Sequence, residues 1–176
     1  KGTQAKMIAL KLNLFHLSTG EVLRKAVSDG TELGKQAKVI MDSGALVSDD
    51  IMIGIVRDAL KANDKSGGFI LDGFPRTIPQ AEALDNLLNE LGNPINVMLA
   101  LEVNNEELVS RLLNRGKDSG RSDDQDESII SNRIKEYNAK TAPVASYYSQ
   151  QNKFKAIEGI GSVESIFKAL CQAIEK

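Results

Sequence analysis

Residues that could hold phosphate groups follow a short apolar run in the middle of the chain. The segment LDGFPRT, residues 71–77, ends a buried strand candidate with Asp72 and continues through Gly73 and Pro75 to Arg76. An acid at the end of a strand could hold water molecules around a Mg²⁺ ion. Gly73 allows close backbone approach, Pro75 stiffens the turn, and the Arg76 guanidinium could bind a phosphate through two hydrogen bonds. The alternative is an ordinary turn with an exposed arginine.

Four arginines further along stand at spacings that could bring them to one ligand. The first two share a helix face, the third lies in a polar segment, and the fourth lies on the next helix. They are Arg111, Arg115, Arg121 and Arg133. The polar segment DSGRSDDQ suits a mobile lid that would bring arginines over a polyphosphate and exclude water. Asp123 and Asp124 could hold these arginines or only solvate the loop, and the usual explanation for such arginines is a solvated surface.

Two stretches near the start could offer backbone N–H groups and hydroxyls to a ligand. Residues 1–3, KGT, match a variant of the end of a phosphate-binding loop, in which the lysine adds charge and the threonine can reach Mg²⁺. Taken alone, these three residues are more simply explained as a helix start. Thr19 and Gly20 follow a strand candidate and open a helix, with Arg24 one turn later.

Composition limits the classes of protein that the chain could belong to. The 176 residues suit one domain, and 22 Lys and Arg against 24 acids give no general preference for nucleic acid. The single Cys171 excludes a disulfide within the chain and a zinc site of several cysteines. Because the sequence has no apolar run of membrane-spanning length and no signal peptide pattern, we expect no membrane association and a cytoplasmic location.

Short apolar runs alternate with helical patterns along the chain. The predicted strands cover residues 15–17, 67–72, 95–103 and 153–158. This alternation predicts a parallel sheet with crossover helices, in which ligands gather at the carboxyl ends of the strands. The polar stretch GKDSGRSDDQ, residues 116–125, is expected to interrupt the helix before it, and a long helical run with Pro143 inside it follows.

Six stretches together resemble the nucleoside monophosphate kinase family, and most closely its adenylate kinases. They are KGTQ, LSTGEVLR, SGALVSDD, GFILDGFPRTIPQ, RLLNRGKDSGRSDDQ and NRIKEYNAKTAPVASYY. They occur in the family's order and span almost the whole chain. The resemblance implies a P-loop NTPase-like three-layer α/β/α fold with a parallel sheet. It also implies one kinase domain over residues 1–176, with a helical monophosphate-binding subdomain at 18–47 and a short lid at 114–124.

The same resemblance implies roles for particular residues. The residues matching the ATP site are Lys1, Gly2, Thr3, Arg111, Arg115 and the backbone of Gly161. Those matching the AMP site are Thr19, Arg24, Leu46, Val47, Gly73, Arg76 and Gln80, with Arg121 and Arg133 reaching both nucleotides. The groups implied to act on the transferring phosphoryl are Lys1, Arg76, Arg115, Arg121 and Arg133.

The implied activity is reversible transfer of the ATP γ-phosphoryl group to AMP, giving two ADP. Mg²⁺ is the implied cofactor, held by Asp72 through water with Thr3 as a second candidate, and no zinc is expected because the short lid lacks cysteines. ATP, AMP and ADP are the expected partners of a monomer. The alternatives are a UMP/CMP kinase and a catalytically incompetent nucleotide-binding fragment. Thr19 and Gln80 favour AMP, since an amide offers a donor and an acceptor to an adenine edge.

Three features depart from the family pattern. Glu21 stands where the family usually has Asp, which keeps the charge but lengthens the reach. One extra residue lies between SDDQ and NR, so the assignment of Arg133 depends on the match of NRIKEY. The first strand and the GxPGxG of the loop are absent, so we expect the natural protein to begin with about a dozen further residues.

Overall fold

The computed structural model describes residues 1–175 and contains two pairs of parallel strands. Strands β1 (Phe15–Ser18) and β2 (Phe69–Asp72) form one pair, and β3 (Met98–Glu102) and β4 (Phe154–Glu158) form the other. All four lie where apolar runs predicted them. Strand β3 begins later than predicted because its first partner, the Lys153 carbonyl, accepts from the Met98 N–H at 2.7 Å.

Nine helices surround the strands in the part of the chain that the structure describes. They are α1 (Gly2–Leu12), α2 (Thr19–Ser28), α3 (Glu32–Asp42), α4 (Asp49–Ala62), α5 (Ile78–Glu90), α6 (Asn105–Ser119), α7 (Glu127–Glu136), α8 (Ala142–Ser149) and α9 (Val163–Ile174). A short 3₁₀ turn covers Ser122–Asp124, and a π-helical turn covers Tyr137–Thr141. None of these nine helices combines the length and the apolar composition needed to cross a membrane.

Helices cover both faces of the strands, which confirms the three-layer architecture. On one face, Ile8 of α1 and Leu170 of α9 pack against side chains from both strand pairs. These side chains include Ile70, Leu99, Leu101 and Ile157. On the other face, α5 packs Leu84 against the first strand pair and Ala81 against α8 and the second pair. Alternate residues of β2 point to opposite layers, as expected of a strand buried between helices.

Helix α6 continues further than the sequence predicted. The polar stretch was expected to interrupt it from Gly116, but the helix runs to Ser119, so residues 114–119 are helical. A Cβ on Gly116 would lie 2.4 Å from the Asp124 carbonyl oxygen, so a glycine allows the following segment to pack on the helix. The helix ends where Gly120 adopts φ 65°, a left-handed conformation that glycine adopts without strain.

Two helices tightly joined to each other form the segment after β1. Helices α2 and α3 approach so closely at Gly34 that a Cβ there would lie 2.0 Å from the Ala26 carbonyl oxygen. The Thr31 hydroxyl donates to the same carbonyl at 3.2 Å and also caps α3 by accepting from the Gly34 N–H at 3.0 Å. These contacts fix the angle between the two helices.

Candidate active site

The turn after β2 packs against the start of α2. Gly73 adopts φ 87°, and a Cβ there would lie 3.0 Å from the Thr19 hydroxyl oxygen and 3.2 Å from the Arg76 guanidinium. The Thr19 hydroxyl donates to the Gly73 carbonyl at 3.0 Å. The Phe74–Pro75 peptide bond is cis, and Phe74 lies in the same core cluster as Val47. Thus two of the predicted AMP-site residues, Thr19 and Gly73, are in direct contact.

Arg76 is held at three atoms by neutral groups. Its backbone N–H donates to the Gln80 side-chain oxygen at 2.7 Å, and its Nε donates to the Gly73 carbonyl at 2.9 Å. Its own carbonyl accepts from the Thr141 hydroxyl at 2.8 Å. Among residues 1–175, no carboxylate forms an ion pair with Arg76. The guanidinium is therefore oriented while its charge stays available to an anion.

Gln80 is 2% exposed and is bonded inside the protein. Besides accepting from the Arg76 N–H, its amide donates to the Asp49 carboxylate at 2.8 Å. Asp49 also accepts from the Thr77 hydroxyl at 2.9 Å. One N–H and one lone pair of the amide remain for a ligand. Sequence reasoning missed Asp49, because its only signal was an acid in the first turn of a helix 31 positions away.

Asp124 holds Arg115 and Arg133, which settles one alternative left open by the sequence. Its side chain is completely buried and accepts from Arg115 at 2.6 and 3.0 Å and from Arg133 as well. Asp123 adds an ion pair to Arg133 at 2.9 Å. Although burial opposes it, the hydrogen bonds and charges of the two arginines lower the pKa of Asp124. These acids therefore orient arginines rather than only solvating the loop.

Arg24 and Arg121 line one cavity of about 180 Å³ between the α2–α3 segment and the segment after α6. No ion pair involves either of them in the described part of the chain. Burial and the nearby charge of Arg121 lower the pKa of Arg24. Beside this cavity, the Ser122 hydroxyl donates to the Asp42 carboxylate at 2.6 Å, so the two segments touch directly.

The charges of several arginines converge on the turn after β2. Burial and the positive charges of Arg133 and Arg24 lower the pKa of Arg76, while Asp72 and Asp123 oppose this shift. The positive charges of these arginines repel one another unless an anion lies between them. The arrangement therefore favours binding of a multiply charged anion, for which phosphate groups are the natural candidates.

Apart from Arg115, which is bonded to Asp124, the residues predicted for ATP fall into two groups in the structure. In the first group, the Lys1 ammonium lies 3.4 Å from the Asp72 carboxylate, and a Cβ on Gly2 would lie 3.3 Å from the same carboxylate. Thr3 is exposed. These residues and Arg76 stand together at the carboxyl end of β2.

The second group stands at the carboxyl end of β4. Arg111 donates to the Gly159 carbonyl at 2.8 Å and pairs with Glu107 at 2.5 Å. Gly161 follows with φ 132°. Sequence reasoning missed the Gly159 carbonyl, for which nothing in the sequence gives a signal. Among residues 1–175, no side-chain hydrogen bond or ion pair joins Arg111 to the Arg76 turn.

The oxygen atoms at the end of β2 suit a Mg²⁺ ion. The Asp72 carboxylate is partly exposed and adjoins the start of α1, and Thr3 adds a hydroxyl on the same helix turn. Mg²⁺ prefers oxygen ligands and keeps several waters when it binds with substrate phosphates. Within the range 1–175, no group of three or more His, Cys, Asp or Glu residues is placed to hold a metal ion. One carboxylate acting through water fits this kind of site.

Parallel strands between two helix layers, with arginines converging after a strand, define the class of nucleotide-binding phosphotransferases. The family model described as adenylate kinase matches residues 1–153. An adenylate kinase of Flavobacterium johnsoniae is 50% identical over 175 residues, which cover 99% of this chain and 92% of that protein. One of Methanothrix thermoacetophila is 44% identical, covering 100% of this chain and 94% of that protein. The chain belongs to the adenylate kinase family.

Proposed function

We propose that this phosphotransferase moves the γ-phosphoryl group of ATP reversibly to AMP, forming two ADP, with Mg²⁺ bound to the nucleotide. The observation that carries the proposal is the orientation of Arg76 by three neutral hydrogen bonds, with no carboxylate paired to it among the described residues. Such an arginine is prepared for an anion before the anion arrives. Preorganised charge of this kind stabilises a transition state without reorganisation during the reaction.

The reaction needs no nucleophile from the protein. A phosphate oxygen of AMP attacks the γ-phosphorus in line, and the bond from that phosphorus to the β-phosphate oxygen breaks, which releases ADP. The residues proposed to stabilise the transferring group are Lys1, Arg76, Arg115, Arg121 and Arg133. Their contribution is positioning and neutralisation of charge, which supply most of the rate enhancement in phosphoryl transfer.

Each nucleotide is proposed to have its own set of contacts. The ATP contacts are Lys1, Gly2, Thr3, Arg111, Arg115 and Gly161, and the AMP contacts are Thr19, Arg24, Leu46, Val47, Gly73, Arg76 and Gln80, with Arg121 and Arg133. The contact between Thr19 and Gly73 and the shared cavity of Arg24 and Arg121 support the AMP set. Asp72, acting through water, and Thr3 would hold Mg²⁺, which would supply positive charge against the phosphate groups.

Two segments are proposed to close over the nucleotides. Residues 18–47 would form the monophosphate-binding subdomain, and residues 114–124 would form a short lid. The hydrogen bond from Ser122 to Asp42 supports this assignment, because it joins the two segments across the cavity. Closure would exclude water, which could otherwise replace AMP as the acceptor and hydrolyse ATP.

We also propose that the protein is a cytoplasmic monomer. Its partners would be ATP, AMP and ADP, without nucleic acid or membrane. ATP and AMP are free small molecules of the cytoplasm, and the balanced charge of the chain gives no support to binding of nucleic acid. All the residues proposed for both nucleotides come from one chain. Sedimentation at micromolar concentration tests the monomer, and a stable dimer would contradict it.

The proposal is tested by comparing acceptors. With Mg²⁺ and ATP, a coupled assay measures ADP formation with AMP, UMP or CMP at equal concentration. We expect kcat/KM for AMP to exceed that for either pyrimidine nucleotide by at least about tenfold, as pocket contacts to the base would give. Equal values for UMP or CMP would favour the pyrimidine kinase alternative. Nucleotide binding without ADP formation would favour the incompetent alternative.

A further inference from the structure

Thr141 lies at the end of a π-helical turn between α7 and α8. This turn covers Tyr137–Thr141, and the N–H of Ala142 bonds to the Tyr137 carbonyl. π-helical turns are rare and occur mostly as single turns inserted into α-helices at functional sites. Here the turn rotates the residue at position 141 out of the plain α-helical register. Its side chain therefore faces a direction that the α-helix alone would not give it.

The hydroxyl of Thr141 serves the Arg76 turn and not its own helix. Thr141 has helical backbone angles, φ −98° and ψ −39°, where the π-helical turn passes into α8, and its side chain makes no capping hydrogen bond. Instead, the hydroxyl donates to the Arg76 carbonyl at 2.8 Å, 65 positions earlier in the chain. The bond actually formed joins two elements that are distant in sequence.

The hydrogen bond from Thr141 connects Arg76 to a segment that is distant in the sequence. In its other two hydrogen bonds, Arg76 donates to Gly73 and Gln80, which belong to the same turn or to the helix that continues it. Those local bonds would persist if the turn moved as a unit. The bond from Thr141 fixes the turn relative to the α7–α8 segment.

The segment that carries Thr141 is itself anchored and also carries a second arginine. Tyr147, Tyr148 and Gln151 donate to the Asp85 carboxylate of α5 at 2.9, 3.1 and 3.0 Å. On the other side of the π-helical turn, α7 carries Arg133. Thr141 thus stands between the anchored α8 and the helix that presents Arg133.

We propose that Thr141 is a positioning residue that holds Arg76 in register with Arg133, so that both can contact one phosphoryl group. This inference rests on the proposed function, in which Arg76 and Arg133 act on the transferring group. A displacement of about 1 Å in such a group can lower a rate by up to about a hundredfold. Loss of the hydroxyl leaves both guanidinium groups present. It removes the hydrogen bond that fixes the Arg76 turn relative to the segment carrying Arg133.

The test compares two replacements of Thr141 with a matched control. Thr141→Val keeps the branched shape and removes the hydroxyl, whereas Thr141→Ser keeps the hydroxyl. The control is Ser66→Ala, which removes another half-buried hydroxyl that donates to a backbone carbonyl, at the opposite end of β2. We expect Thr141→Val to lower kcat about tenfold with KM for ATP and AMP changed less than about threefold. Thr141→Ser and Ser66→Ala should stay within about twofold of the parent protein.

A double-mutant cycle separates positioning from general stability. If Thr141 acts through Arg76, Thr141→Val should lower kcat in the parent protein but should have no further effect when Arg76→Ala is already present. Additive losses in the two backgrounds would overturn the proposal. So would a fall in melting temperature without a change in kcat. Thr141→Ala is a second variant without the hydroxyl. If neither it nor Thr141→Val folds while Thr141→Ser does, the role is structural and the proposal is wrong.

A readout that needs no turnover keeps this inference separate from the proposed function. The NMR signal of the Arg76 Nε–H group reports the local environment of the guanidinium in the unliganded protein. We expect this signal to shift in Thr141→Val and to stay in place in Ser66→Ala. Absence of AMP-dependent ADP formation in the parent protein would contradict the proposed function. An unmoved Arg76 signal would contradict the role of Thr141.

Discussion

The turn that carries Arg76 and the segment that carries Asp124 orient arginines by opposite means. Arg76 is held by the Gly73 carbonyl, the Gln80 amide and the Thr141 hydroxyl, all of which are neutral. Arg115 and Arg133 are held by the buried carboxylate of Asp124. The guanidinium is the same group in both places. The difference lies in whether its charge is already neutralised.

This difference assigns a different task to each region. An arginine held by neutral dipoles keeps its attraction for phosphate undiminished, so it can bind a nucleotide as soon as one enters. An arginine paired with a carboxylate must share or exchange that partner before it can serve a phosphate. We therefore propose that the Arg76 turn acts as a fixed receptor for an anion, and the Asp124 segment as a responsive one whose arginines must first release their carboxylate.

Removing the fixed receptor should have the largest effect. We expect Arg76→Ala to lower kcat by about two to three orders of magnitude, because a preorganised charge near the transferring group is lost. Arg76→Lys is the matched control, since it keeps the charge but loses the planar guanidinium group. Its kcat should lie between those of the parent protein and Arg76→Ala. Circular dichroism should show that both variants fold. A near-normal rate with AMP in Arg76→Ala would contradict the comparison.

Neutralising the carboxylate of the responsive region should have a smaller effect on rate and a clear effect on stability. We expect Asp124→Asn to lower the melting temperature by about 3–8 °C, because Arg115 and Arg133 lose their buried partner. We expect kcat to fall about tenfold, because the two arginines are less well placed. Asp126→Asn is the control, since Asp126 is exposed and pairs with no arginine in the described chain. Equal melting temperatures for the two variants would show that the ion pairs of Asp124 do not stabilise the fold.

The parent protein and Asp124→Asn should also differ in how their stability responds to acid. The pKa of Asp124 in the folded protein lies below its ordinary value, so this carboxyl stabilises the fold above the ordinary pKa. That contribution disappears as the pH falls through the lowered pKa of the folded state. Between about pH 5 and pH 3, the melting temperature should therefore fall more steeply in the parent protein than in Asp124→Asn. Parallel curves would contradict this assignment.

The amide that holds the Arg76 turn should affect one nucleotide more than the other. We expect Gln80→Ala to weaken AMP binding about five- to tenfold and ATP binding by less than about twofold, because Gln80 adjoins the AMP contacts. Calorimetric titrations of each nucleotide measure both values. Asp49→Asn is informative beside it, since it retains the shape of the partner that orients Gln80. Equal losses for the two nucleotides would count against a role of Gln80 in reading the base.

The smallest effect is expected at the bond that joins the two segments proposed to close over the nucleotides. Ser122→Ala removes the hydrogen bond to Asp42 at the surface, where one such bond contributes about 1 kcal/mol or less. We expect KM for AMP to rise about twofold and the melting temperature to stay within about 2 °C. Ser119→Ala is the control, because Ser119 bonds within its own helix. A tenfold change would mean that this bond dominates closure.

Local patterns predicted the strands and most of the helices, because apolar runs and caps act within a few residues. The strand ending at Asp72 followed from an apolar run that stops at an acid, and its turn was identified with it. The end of α6 was wrong, because Gly116 was interpreted as a helix breaker. Its packing against the Asp124 backbone is a contact between segments that no local pattern shows.

The partners of the site residues were the least predictable part. The resemblance supplied the arginines, but their roles stay proposals until the variants are measured. Asp49 and Thr141 lie 31 and 65 positions from the residues that they hold. A hydrogen bond over such a distance depends on the packing of whole helices and has no signature in either segment. The π-helical turn before α8 was likewise not predicted, since the sequence indicated one long helical run with Pro143 inside it.

The close contact of α2 and α3 at Gly34 means that a rotation of α2 would carry α3 with it. Helix α2 has 10 residues and is therefore about 15 Å long. A rotation of about 20° at its first residue would carry its far end roughly 5 Å, and α3 would travel with it because the two are locked at Gly34. Arg24, near the middle of α2, would travel about half as far. A small rotation beside Thr19 would thus produce a large displacement at the far end of α2 and a smaller displacement at Arg24.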